Sequence, residues 1–252
     1  MRLKDKTAIV TGGGKGIGFG IVQALVEEGA QVVITGRTEE TLKKAQEKIK
    51  EKYDQELFYV AGDGAKEETA KKIVEETISK FGKINLIVNN AQASKSGLKL
   101  IEHSKEDFDL AINSGLYSTF FLMKEAFPYL KESKGTVINF ASGAGISGKD
   151  GQSSYAAAKE GIRGLSRVAA TEWGEFGINV NVICPLAMTE SLEAWKGEYP
   201  ELYEKTIQAI PMKRFADPKE DIGKTIVFLA SDGHVINECC RRRKCGKWNF
   251  WT

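Results

Sequence analysis

The stretch "TAIVTGGGKGIGFGIVQALVEEGAQVVITG", residues 7–36, holds a short apolar run, a glycine-rich turn, an amphipathic segment and a second apolar run. The runs "TAIVTG" (7–12) and "QVVITG" (31–36) are near-continuously apolar rather than alternating, as strands covered on both faces are. Between them Ile17, Ile21, Val22 and Leu25 fall on one stripe at helical spacing. Strand, helix, strand over so short a span predicts a parallel pair joined by a right-handed crossover.

The same alternation continues outward from this unit. Further strand-like runs are "LFYVAGD" (57–63), "INLIVNNA" (84–91), "GTVINFAS" (135–142) and "INVNVICP" (178–185). Helical patterns are read over 16–29, 38–52, 66–82, 104–132 and 153–174. The expected fold class is α/β, one Rossmann-type doubly wound parallel sheet flanked by helices. No internal repeat or composition break divides residues 1–233, which are read as one domain. Residues 234–252 are read as an atypical basic, cysteine-rich tail.

The chain has 252 residues, 42% hydrophobic and 28% charged, an ordinary globular composition able to bury a core without disulfides. No apolar run approaches the ~18 residues of a membrane span. The start "MRLKDKTAIV" lacks the apolar stretch and cleavage site of a signal peptide, so a cytoplasmic location is expected. Five basic residues against Glu238 alone fall in 238–252, so the excess positive charge sits there and the body is slightly acidic. A nucleic-acid role is therefore rejected for the body.

Unusual residues gather where the strands end, and ligands of such sheets bind beyond those ends. In "TGGGKGIG" (11–18), Gly12, Gly16 and Gly18 allow a tight turn and close approach of a pyrophosphate to a helix N-terminus. The spacing is G-x-x-x-G-x-G, and a glycine cluster alone also serves plain turn geometry. The second strand ends in Gly36 and Arg37, where an NAD enzyme would place an acid for the ribose 2′-hydroxyl. Arg37 with Thr38, and Lys15 in the glycine loop, match a 2′-phosphate, which makes NADP the expected cofactor. The alternative is a solvated arginine opening a helix.

In "SSYAAAKEG" (153–161), Tyr155 and Lys159 stand four apart on one helical face. A free phenol titrates near ~10, and a nearby ammonium favours its ionised form. Such pairs are also common on helices for no chemical reason. Ser142, leaving the fifth run, is positioned to hydrogen-bond a substrate oxygen.

The glycine loop, "NNA" (89–91), Ser142, "YAAAK" (155–159) and the proline after the sixth run occur in the order of the short-chain dehydrogenase/reductase family, which residues 5 to about 233 resemble. The resemblance implies that Tyr155 is the general acid/base, that Lys159 lowers its pKa and holds the nicotinamide ribose, and that Ser142 positions the carbonyl or alcohol. Asn113, in "AINSGLYS", matches the family asparagine that holds a water in a proton relay. Ile17, Asn89, Ala91 and Pro185 would border the cofactor, Asp63 would meet the adenine, and Thr189 the carboxamide. Helices 104–132 and 153–174 resemble those that pair subunits, so a homo-oligomer, dimer or tetramer, is expected.

Two departures stand out: "NNAQAS" (89–94) where the family writes NNAG, and "CPLAMT" (184–189) where it writes PG. Both put larger side chains, Gln92 and Leu186, beside the expected substrate. With "SGLYSTF" (114–120) they resemble a bacterial NADP-dependent group that oxidises the 12α-hydroxyl of bile acids. In "TESLEAWKGEYPELYEKTIQAIPM" (189–212), Leu192, Trp195, Tyr199 and Tyr203 recur at helical spacing. They either form a lid over a flat apolar substrate or pack on the domain. The alternatives in activity are a reductase of acyl-thioester β-ketones or another small carbonyl, and a non-catalytic NADP-binding sensor.

The tail "HVINECCRRRKCGKWNFWT" holds His234 and three of the four cysteines. Adjacent Cys239 and Cys240 are poor geometry for one zinc ion, and no metal is expected. The abrupt composition change reads as an atypical or frame-shifted ending, with Val235 and Ile236 beginning at most a partial last strand.

Overall fold

Each of the six apolar runs becomes a strand: β1 (Thr7–Thr11), β2 (Gln31–Gly36), β3 (Phe58–Ala61), β4 (Leu86–Asn89), β5 (Thr136–Phe140) and β6 (Asn179–Ile183). The computed structural model describes residues 1–232 and Asn237. The strands form one sheet in the order β3-β2-β1-β4-β5-β6, and every pairing is parallel. The order reverses between β1 and β4, which opens a crevice at their carboxyl ends.

Period-two alternation sorts each strand into two cores. Ala8, Val10, Val32, Ile34, Val88 and Ile138 pack with Ile21, Leu25 and Val227 on one face. Ile9, Val33, Val60, Ile87, Val137 and Val180 pack with Ile73, Leu122 and Ala169 on the other. Burial on both faces explains why the runs read as continuously apolar. Each buried Val, Leu or Ile stabilises the fold by about 1.5–3 kcal/mol.

The helices are α1 (Gly16–Glu27), α2 (Glu39–Tyr53), α3 (Glu67–Phe81), α4 (Lys105–Ala111), α5 (Ser118–Ser133), α6 (Gly143–Ser147), α7 (Ser153–Glu172), α8 (Glu190–Glu198), α9 (Pro200–Ala209) and α10 (Lys224–Ala230). The helix expected over 104–132 is broken into α4 and α5 by a π-helical turn, Ile112–Tyr117. The stripe expected along 189–212 is not continuous, because Tyr199 leaves helical geometry (φ −131°) and Pro200 starts a new helix. Tyr199 is consequently exposed, whereas Trp195 turns inward onto Tyr203 (6.2 Å between centroids) and Tyr203 onto Phe215 (5.9 Å). Trp195 thus helps hold the α8–α9 hairpin together.

The side chain of Asn237 reaches the outer edge of the sheet. Its Oδ1 accepts from the Val180 amide (3.3 Å) and its Nδ2 donates to the Ala170 carbonyl (3.1 Å). The expectations for His234, Val235, Ile236 and the tail cysteines lie outside the described residues. No helix among the described residues is long and apolar enough to cross a membrane.

Candidate active site

At the carboxyl ends of β1 and β4, Thr11 ties the two strands. Its Oγ1 accepts from the amides of Asn90 and Ala91, both at 3.0 Å, and Asn90 Nδ2 donates to the Thr11 carbonyl (2.9 Å). The loop after β4 is thereby fixed against the glycine loop. Gly12 sits at φ +66°, a left-handed conformation costly for any side chain. At Gly18 a Cβ would lie 2.2 Å from the Gly12 carbonyl oxygen, so the first turn of α1 can approach the loop only without a side chain there. The α1 N-terminus has neither a side-chain cap nor an acid in its first turn. Its free N–H groups and dipole therefore face the crevice, as a phosphate-binding helix requires.

The crevice is a cavity of ≈ 440 Å³ lined by Gly12, Lys15, Gly16, Ile17, Gly18, Arg37, Thr38, Asp63, Ala91, Gln92 and Thr189, with Asn90 and Ser114. That volume is within the range of small-molecule sites. Exposed Lys15 and Arg37 are in no ion pair among the described residues, which leaves both cations to a ligand. Asp63 Oδ1 accepts from the Ala65 amide (3.2 Å) and shapes the rim beyond β3. Thr189 caps α8, its Oγ1 accepting from Leu192 N (3.3 Å), and its methyl stands 3.9 Å from where a Cβ of Gly16 would be. Glycine cradle, uncapped helix and the two lining cations fit a nicotinamide dinucleotide.

Asn89 is placed otherwise than expected. It is buried beneath the crevice, its Nδ2 donating to Asn139 Oδ1 (2.8 Å), while Asn139 Nδ2 donates to Ser166 Oγ (2.8 Å). Asn90, not Asn89, lines the cavity. The reason is strand alternation: Asn89 pairs with Asn139 in the β4–β5 register and points inward with it. The buried amide ladder links the ends of β4 and β5 to α7.

Ser142, two residues past β5, caps α6, its Oγ accepting from Ala144 N (3.2 Å). Tyr155 and Lys159 project from one side of α7, Lys159 Nζ lying 5.6 Å from the Tyr155 ring centre. Lys159 is buried and donates to the Phe140 carbonyl (2.7 Å). The titration differs from the expectation. Burial pushes the Tyr155 phenol up, against the opposing effect of a hydrogen bond with Ser142. Burial likewise draws the Lys159 ammonium down to about 8. An ammonium this desolvated loses its proton more readily than a free lysine, and its carbonyl partner partly offsets that by favouring the charged form. Cys184, between β6 and Pro185, is close enough to act electrostatically on both groups.

Asn113 is not brought to this site. It lies exposed on the π-helical turn, while Ser114 and Ser118, four residues apart, line the cavity. Leu186 is exposed (57%) and does not line the cavity; it sits on a segment held by the Ala187–Ala216 bridge. Half-buried Pro185 connects it to β6. Sequence reading passed over Thr11, Asn90, Asn139, Ser114 and Cys184; of these only Asn90 carried a signal, as the second asparagine of "NNA". Among the described residues no three His, Cys, Asp or Glu side chains group as metal ligands would.

A family model described as enoyl-(acyl carrier protein) reductase matches residues 12–236. The chain is 55% identical over 232 residues to the 12alpha-hydroxysteroid dehydrogenase of Clostridium sp. (strain ATCC 29733 / VPI C48-50), covering 90% of each. It is 34% identical over 241 residues to a 3-oxoacyl-(acyl-carrier-protein) reductase of Thermotoga maritima, covering 92% of this chain and 93% of that one. Among solved structures, levodione reductase superposes with a TM-score of 0.85 at 31% identity, covering 92% of each chain.

Proposed function

Because this chain belongs to the short-chain dehydrogenase/reductase family, we propose that it is an NADP-dependent oxidoreductase interconverting a secondary alcohol and a ketone, with the 12α-hydroxyl of a bile acid as substrate. The observation that carries the reading is Ser142, Tyr155 and Lys159 grouped at the carboxyl end of β5, in a chain 55% identical to a 12alpha-hydroxysteroid dehydrogenase.

The cofactor is held by the backbone of Gly12, Ile17 and Gly18 and the α1 N-terminus, with Lys15, Arg37 and Thr38 around the 2′-phosphate. Asp63 lies toward the adenine side, Ala91 borders the middle of the crevice, and Thr189 closes it from α8. Pro185 borders the nicotinamide end. Bound there, the nicotinamide supplies an acceptor for the hydride of the carbinol carbon. Ser142 orients the substrate oxygen, and Tyr155 takes its proton on oxidation or gives it on reduction. Lys159, tied to Phe140, stands behind the phenol and holds the ribose.

Leu186 and Trp195, with Gln92 at the inner wall, bound the substrate side. Exposed Leu186, Ile146, Tyr199 and Leu202 offer apolar area that suits a flat steroid better than a small ketone. Exposed Tyr117 just before α5, Phe120 on α5 and Val168 on α7 fit a subunit face, in keeping with a cytoplasmic homo-oligomer, dimer or tetramer.

The test is a spectrophotometric screen of bile acids, 3-oxoacyl thioesters and small ketones with NADP and NAD. Oxidation of 12α-hydroxy bile acids with NADP is expected. Turnover of 3-oxoacyl thioesters alone would move the substrate to the acyl class, and activity with NAD alone would remove the role given to Arg37.

A further inference from the structure

Gln92 follows β4 by three residues, and its carboxamide is sealed inside the protein. Both Oε1 and Nε2 are buried without a hydrogen-bond partner among the described residues. Leaving a buried amide group unsatisfied costs about 1–3 kcal/mol per group, so such a group calls for a reason. The carboxamide rests on Gly115, in the π-helical turn. A Cβ on Gly115 would lie 2.7 Å from Gln92 Cδ, 2.8 Å from Oε1 and 3.0 Å from Nε2. The space a side chain at 115 would use is therefore taken by the amide of Gln92.

Both sides of this contact are pinned. The Ala91 amide donates to Thr11, and Ser114 Oγ accepts from the Ala93 amide (3.0 Å) while standing 2.9 Å from the Ala93 carbonyl and 2.6 Å from the Leu110 carbonyl. Buried Asn89 Oδ1 and Ser154 Oγ, the latter next to Tyr155, also lack partners among the described residues. Unanswered polar atoms thus occur both in and after β4 and at the start of α7, and ordered water is their natural partner. Asn113, exposed, contributes nothing there.

We propose that Gln92 supplies the carboxamide of the proton path, in place of an asparagine on the π-helical turn, and that Gly115 is glycine because it is the seat of that carboxamide. The proposal rests on the alcohol–ketone reading above. On oxidation the substrate O–H bond breaks, its proton forms a new O–H bond on Tyr155, and the hydride passes from carbon to the oxidised nicotinamide. The proton then leaves Tyr155 for solvent through water, and Gln92 orients that water. Gln92 is in this sense a positioning residue.

The test is steady-state oxidation of a 12α-hydroxy bile acid by the full chain with NADP across pH, alongside melting temperatures. Gln92→Leu, which fills the seat without polar atoms, should lower kcat about 10- to 100-fold, the low end of what proton-transfer groups contribute. It should alter the kcat pH profile and leave the KM for NADP and the melting temperature near wild type. Gly115→Asn alone should lose activity by collision with Gln92, and Gln92→Gly/Gly115→Asn should regain most of it. Asn113→Ala should behave as wild type. A Gln92→Leu enzyme with unchanged kcat and pH profile would overturn the proposal, as would a folded double variant without recovery, or an Asn113→Ala loss equal to that at Gln92. A wild-type enzyme inactive on every secondary alcohol would instead sink the functional reading on which this one stands.

Discussion

Replacing Lys159 by methionine separates the cost of burying an ammonium from the rest of the site. Burial draws Lys159 from its ordinary 10.5 down to about 8, whereas in the unfolded chain it keeps the higher value. Between those values the unfolded state binds more protons, so this group makes folding more favourable as pH rises; below about 8 its burial cost is fully present. With these values the linkage relation gives a gain of about 2 kcal/mol between about pH 7.5 and 9.5. Lys159→Met removes that gain. It also leaves the Phe140 carbonyl without its donor, a loss of about 1–2 kcal/mol, but charged and neutral amines both donate, so this part is independent of pH. Tyr155 is pushed up, beyond the window, and does not confuse the reading. Urea unfolding of wild type and Lys159→Met without cofactor at the two pH values measures the difference, and titrations common to both cancel. The wild type should gain about 2 kcal/mol on the variant across the interval. Parallel pH dependences would refute the claim that Lys159 is held in a desolvated place.

Tyr155→Phe should lower turnover by about 10²–10⁴-fold while leaving NADPH binding, followed by fluorescence, near wild type. Because burial pushes the phenol up, kcat/KM for alcohol oxidation in the wild type should climb as pH rises through the alkaline range, since only the ionised phenol accepts the proton. Gly18→Ala, with its Cβ 2.2 Å from the Gly12 carbonyl oxygen, should abolish NADPH binding in titration calorimetry while the chain remains folded. Arg37→Glu should weaken NADPH by about tenfold to a hundredfold through loss of a charge-assisted contact, and shift preference toward NADH. Trp195→Ala should raise KM for a bile acid far more than for NADPH; equal effects would show that Trp195 serves only the α8–α9 hairpin.

The sheet was legible because its strands are buried on both faces, and that leaves a continuous apolar run in each. The glycine cradle and the Tyr155–Lys159 spacing were legible for a similar reason: they are local in sequence. What escaped was set by phase. One extra residue in the turn at 112–117 carries Asn113 outward and puts Ser114 and Gly115 against the loop after β4. Strand alternation exchanged Asn89 for Asn90 at the cavity wall. The state of Tyr155 was also out of reach, because burial, which no spacing reveals, outweighed the hydrogen bond with Ser142. Trp195 and Tyr203 were correctly grouped, but the break at Pro200 made their contact a hairpin seam.

The π-helical turn acts as a phase shifter between the helices on either side. An α-helix rotates about 100° per residue, so deleting a single residue there would straighten the helix only by turning one half against the other. Leu122, Met123, Ala126 and Leu130 would then leave the core together, or the segment before the turn would withdraw from the crevice. Length in this segment should consequently tolerate neither loss nor gain, whereas substitutions on its exposed side remain free.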